Sequence, residues 1–123
     1  MLLREIYDYC PEIAPRFLPF VCIDPGRAVP EQIRSLQELE RAYPIYGIKI
    51  NPVGCQSPVA ELGRGGEAFL HFAVERDWPL LVHVNPLPDD AYSQVADLFP
   101  IIERWPSLRF CLAHCLLFHR RSL

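Results

Sequence analysis

Pro79-Leu80-Leu81-Val82-His83-Val84-Asn85-Pro86 is an apolar run between prolines, interrupted near its end by one imidazole and one carboxamide. Nearly continuous apolarity over so few residues reads as a parallel strand covered on both faces. Three further runs have the same character: Phe17–Ile23, Ile45–Ile50 and Arg109–Ala113. With Pro79–Val84 they centre on Phe20, Ile48, Val82 and Cys111, spaced by about 30 residues, the size of a strand–helix–strand repeat.

Helical patterns fill the intervals. Pro30 suits a first helical position, and Ile33, Leu36, Leu39 and Tyr43 follow three and four apart, with Glu31, Arg34, Glu38 and Arg41 on the other side. A second helix is predicted over about 66–76, burying Phe69, Leu70, Ala73 and Val74. A third keeps the spacing through Val95, Leu98, Ile102 and Trp105, with Asp89 or Asp90 as its cap. Pro100 should kink or split it, and Pro106 ends it. Strands alternating with helices predict a parallel α/β sheet with right-handed crossovers, either an open doubly wound sheet or part of a (β/α)8 barrel. A whole barrel takes about 250 residues. The 123 residues here would supply about four strands, read as one partial domain over 1–123.

In such folds the chemistry sits at the carboxyl ends of the strands. There the sequence places Asp24, then Lys49 and Asn51, then His83 and Asn85, then His114. Alternation puts Lys49 and Asn51 on one side of their strand and His83 and Asn85 on one side of theirs. If those sides share a centre, Lys49, His83, Asn85 and His114 converge on one rim. Imidazole suits zinc, iron or nickel. A lysine at such a rim points to an anionic substrate, a carboxylate neighbour or a modified side chain. His71 falls on the second helix, as surface or packing, and His119 in the tail. The stretch 52–66 is expected to be a long loop over the rim, and Gly63-Arg64-Gly65-Gly66 a helix entry rather than a phosphate loop.

Composition narrows the partners. Half of the chain is hydrophobic and 22% is charged, ordinary for a globular protein, and the net charge of -3 argues against a nucleic-acid partner. The only cationic cluster, in Phe118–Arg121, reads as a solvated tail. No apolar stretch approaches the roughly 18 residues of a membrane span, and Met1–Cys10 has no signal-peptide core. Five cysteines without a CxxC pair fit a reducing, cytoplasmic setting.

The sequence resembles the amidohydrolase superfamily, in particular the branch related to aminocarboxymuconate-semialdehyde decarboxylase. The matching stretches are Arg16–Phe20 leading to Asp24-Pro25, then Tyr46–Ile50, Pro79–His83 and Trp105–His114, in the family's order over roughly 15–114. The resemblance implies strands three to six of the barrel and a metal-dependent hydrolase acting on C–N or ester bonds through metal-activated water. A decarboxylase or other lyase is the near alternative. It implies His83 as the fifth-strand metal ligand and His114 as a second ligand or an acid/base residue. Lys49 falls in the fourth-strand region where some members carry a carboxylated lysine, and is a catalytic candidate. Asn51 and Asn85 are candidates for binding a small-molecule substrate. A divalent metal, zinc foremost, is the cofactor implied. The family's first-strand HxH pair and last-strand aspartate do not occur in this sequence. The site is therefore expected to be incomplete. The chain is expected to pair with the remainder of a barrel or with its own copies, or to be a fragment without activity. An open-sheet binding module is the remaining reading, and it predicts that His83 and His114 lie far apart or face opposite layers.

Overall fold

The structure, a computed structural model, describes residues 2–85 and 87–116. A short N-terminal helix α1, Leu2–Arg4, continues as a π-type turn over Glu5–Tyr9. There follow β1 (Phe20–Ile23), α2 (Val29–Ala42), β2 (Gly47–Ile50), α3 (Pro52–Cys55), α4 (Glu67–Arg76), β3 (Leu80–Val82), α5 (Phe99–Arg104) and β4 (Phe110–Leu112).

The four strands are parallel and lie side by side in chain order, β1-β2-β3-β4. That order separates the two candidate architectures. A doubly wound sheet reverses its direction of growth at a switch point, which sends helices to both faces. Right-handed crossovers that never reverse stack every helix on one face, the wall of a barrel. Burial agrees. Val21, Ile23, Ile48, Ile50, Leu80 and Val82 pack beneath Leu36 of α2, Phe69, Leu70 and Ala73 of α4, and Ile101 of α5 in one core. Their alternates Phe20, Cys22, Lys49, Leu81 and Cys111 stay half-buried or exposed. The sequence was expected to cover both faces of each strand; this chain covers one. The fold is an α/β partial barrel.

Both long helices fall where the apolar spacing puts them, but on α4 the buried stripe takes in Phe72, and Val74, expected in it, is 38% exposed. The connectors depart from expectation. Residues 52–66 are not an open loop. Asn51 caps α3, its side-chain oxygen accepting from the Gly54 amide at 3.3 Å, and Val59–Gly63 form a 3-10 helix that buries Val59 and Leu62. The third helical interval is also broken. Asp90 does not cap a helix: its Oδ1 accepts the amides of Tyr92 and Ser93 in a tight turn. Val95–Asp97 make a single 3-10 turn before α5. Pro100 sits in the first turn of α5, where its missing N–H costs nothing, instead of kinking a longer helix.

Candidate active site at the strand ends

At the carboxyl end of β1, Asp24 ties the rim together. Its Oδ1 accepts the Gly26 amide at 3.0 Å and the Ser57 hydroxyl at 2.5 Å, and its Oδ2 accepts Arg27 Nε at 2.7 Å. Burial works to raise this carboxyl's pKa, but the three hydrogen bonds and the Arg27 charge together hold it below its ordinary value. Gln32, one turn into α2, closes the same loop from behind by accepting the Asp24 amide and donating to the carbonyls of Asp24 and Arg27. Arg27 reaches on to the Cys55 carbonyl. The first two strand-end connections are thus one hydrogen-bonded unit.

Lys49 stands on the uncovered face of β2, in register with Cys22 on one side and Leu81 on the other. Its ammonium donates to the Ile50 carbonyl at 3.1 Å. Burial lowers its pKa, against the opposing effect of Cys22 and Cys111. On β3, His83 shares the parity of Leu81 and so faces the same side. Burial lowers the pKa of His83, and the neighbouring His114 and Lys49 act in the same direction while Asp90 opposes them. The neutral imidazole, the form that can ligate a metal, is favoured.

His114 arrives by a different route. Alternation from Cys111 would turn Ala113 to the inner side and His114 to the helix-covered side. The strand ends at Leu112, however, and the backbone turns into a 3-10 segment, Ala113–Leu116, with φ of 64° at His114. This left-handed turn swings the ring inward. His83 Nδ1 and His114 Nε2 lie 2.9 Å apart, with ring centroids at 4.9 Å and planes at 78°.

Of the two carboxamides singled out from the sequence, Asn51 is engaged as the cap of α3. Asn85 accepts the Leu87 amide at 2.9 Å and lines a cleft of about 470 Å³ together with His83, Val53, Asp90 and Tyr92. Asp90 and Tyr92 did not stand out in the sequence, where Asp90 reads as a helix cap. No periodic signal marks them, because they lie in the irregular stretch after β3. His71 lies outside the site, its ring edge-on to Trp105 at 4.6 Å. His119 and the cationic cluster at 118–121 fall outside the described residues.

Can the imidazole pair hold a metal? Two nitrogens bound to one zinc at about 2.0–2.1 Å lie roughly 3.3 Å apart in tetrahedral geometry and about 2.9 Å apart at a right angle. The separation matches two places on one ion, although as it stands one ring nitrogen donates a hydrogen bond to the other, so both rings would have to turn their lone pairs to a shared ion. Among the described residues no group of three or more His, Cys, Asp or Glu side chains could hold an ion. A catalytic zinc takes about three protein ligands, so the pair is part of a ligand set.

A family model described as amidohydrolase matches residues 3–119. The chain belongs to the amidohydrolase family. That membership accords with the parallel, unreversed sheet and gives the amidohydrolase chain a hydrolase-type function. No curated protein and no solved structure matches it. No helix among the described residues is long and apolar enough to cross a membrane.

Proposed function

We propose that this amidohydrolase chain contributes two ligands to a divalent-metal centre, zinc foremost, in a hydrolase of C–N or ester bonds. The observation that carries the reading is the 2.9 Å approach of His83 Nδ1 to His114 Nε2 at the carboxyl ends of neighbouring parallel strands. Burial lowers the pKa of His83, which favours the neutral form that a ligand needs, and the left-handed turn at His114 brings its ring to His83. When bound, the ion supplies Lewis acidity towards a carbonyl and lowers the pKa of water. His83 would hold the ion, and His114 would hold it or carry a proton. Lys49, on the same face, would steady negative charge on the substrate, and the cleft beside His83 would receive a small molecule, with Asn85 offering its amide. A decarboxylase or other lyase of the branch related to aminocarboxymuconate-semialdehyde decarboxylase would draw on the same residues, and turnover of ester and amide substrates against release of carbon dioxide separates the two.

The test is metal content by mass spectrometry of the purified chain loaded with zinc, for the native protein and for His83→Ala and His114→Ala. Both variants should lose bound zinc. Unchanged zinc in both would remove the assignment.

A further inference from the structure

We infer that Cys22 and Cys55 are a disulfide-forming pair, through which a small-molecule disulfide such as oxidised glutathione fastens β1 to α3. Both are free thiols. Cys22 lies within β1 on the face that the helices leave open, and is exposed; Cys55 ends α3, beyond the next strand, and is half-buried. The Cys55 sulfur lies 3.6 Å from the carbonyl oxygen of Ile23, the residue after Cys22, and its thiol is a side-chain hydrogen-bond partner of Cys22.

The backbone holds Cys55 in that place. Its amide donates to the Asn51 carbonyl at 3.0 Å, its own carbonyl accepts from Arg27, and Gln56 beyond it is left-handed, with φ of 54°. Arg27 is held in turn by Asp24, which also accepts the Ser57 hydroxyl. The end of β1 and α3 thus belong to one hydrogen-bonded unit, and the two sulfurs meet without a loop having to close first. Cys111 is no rival. It shares a row with Cys22, but Lys49 and Leu81 stand between them. Three strand spacings of about 4.8 Å make roughly 14 Å, and a disulfide joins Cα atoms no more than about 7 Å apart.

Exposure divides the roles. Cys22, which an oxidant can reach, attacks one sulfur of oxidised glutathione as its thiolate and expels one glutathione thiolate, leaving a mixed disulfide. The Cys55 sulfur then attacks the sulfur of Cys22 and expels the second glutathione. The two cysteine protons end on the two released glutathiones; two cysteine sulfurs are oxidised and one disulfide bond is reduced. Burial pushes the Cys55 thiol up, with Cys22 and Asp24 adding to it and Arg27 opposing. A protonated Cys55 is a poor first nucleophile, which leaves the opening attack to Cys22. The bond would lie beside Lys49, the register partner of Cys22. Neither sulfur belongs to the His83–His114 pair, so the linkage stands or falls apart from the metal reading.

The experiment incubates the purified chain with oxidised glutathione and a chelator, blocks the remaining thiols by alkylation, and maps linkages by mass spectrometry of a tryptic digest made without reductant. Peptides 17–27 and 50–64 should appear joined, Cys22 to Cys55, and should separate on reduction. In denaturing urea the same linkage should form at least about tenfold more slowly, because the unfolded chain must first close a loop of about thirty residues. Cys55→Ser should instead collect glutathione on Cys22. The oxidised chain should unfold at a higher urea concentration than the reduced one. Cys22 joined to another cysteine, or keeping glutathione in the native chain while Cys55 stays free, overturns the pairing, as do equal rates in buffer and in urea. A folded Cys55→Ser with unmodified Cys22 overturns the route through Cys22, and an unchanged urea midpoint overturns the fastening of β1 to α3.

Discussion

His114 meets His83 across 2.9 Å only because its own backbone is left-handed, with φ of 64° at a residue that strand alternation would have turned the other way. A non-glycine side chain in that region costs on the order of 1 kcal/mol.

The first prediction follows from that conformation. His114→Gly should abolish zinc retention while leaving the metal-free chain within about 1 kcal/mol of the native protein in urea denaturation, since glycine adopts the left-handed region without strain. His114→Ala should also lose zinc but keep the backbone cost. If the glycine variant is the less stable of the two, the turn is not held against strain.

Asp24 accepts hydrogen bonds from Gly26, Ser57 and Arg27, and Ser57 is only 4% exposed. Asp24→Ala strands a buried hydroxyl and releases the loop between β1 and α2. A loss of about 2–3 kcal/mol is expected, because a missing partner leaves the desolvation of the other unrepaid. Asp24→Asn, which still offers one oxygen, should lose less. Chemical denaturation of the three proteins measures the order; equal stability of all three would show that the knot contributes nothing to the fold.

Away from the rim, α2 is fastened to α4 by Arg76, whose Nε and second terminal nitrogen meet Glu40 at 2.5 and 2.7 Å while its guanidinium lies 3.4 Å from the Phe72 ring centroid. The hydrogen bonds from Arg76 hold the Glu40 carboxyl below its ordinary value of 4.5, with burial opposing and the Arg76 charge assisting. A carboxyl whose folded pKa is depressed stabilises above its unfolded value, and that contribution fades as the pH falls through the folded one. Stability should therefore drop below about pH 4.5 more steeply in the native chain than in Glu40→Gln. Parallel acid limbs in a pH series of melting temperatures would contradict this.

Gly47 opens β2 directly opposite Phe20. A Cβ built there would stand 2.3 Å from Phe20 Cε1 and 2.7 Å from the Pro79 carbonyl oxygen. The ring can rotate away, but the carbonyl belongs to the backbone leading into β3. Gly47→Ala should cost about 1–3 kcal/mol by overpacking and loosen the pairing of β2 with β3. Hydrogen exchange at Ile48, whose amide donates to Pro79, reports on that pairing directly; unchanged protection would mean that the backbone yields at no cost.

Much of this molecule is legible in its residues. Four apolar runs and the spacing of Ile33, Leu36 and Leu39, or of Phe69, Leu70 and Ala73, determine where β1 to β4, α2 and α4 form, because period and burial are local consequences of which side chains must leave water. The presence of polar groups at strand ends is equally local, and it led to Lys49, His83 and His114. The sequence alone could not choose between a reversed and an unreversed sheet. That choice lies in pairing between strands some 30 residues apart, and only the order β1-β2-β3-β4 makes it. Nor could alternation place the imidazole of His114, since a turn after Leu112 overrides it. The stretch 52–66 shows no helical pattern in sequence for a similar reason: α3 and the 3-10 segment over Val59–Gly63 are too short to show a period and are held by Asn51, Ser57 and the packing of Leu62. Local chemistry decided which residues form strands and helices; the meeting of distant segments decided which of them face one another.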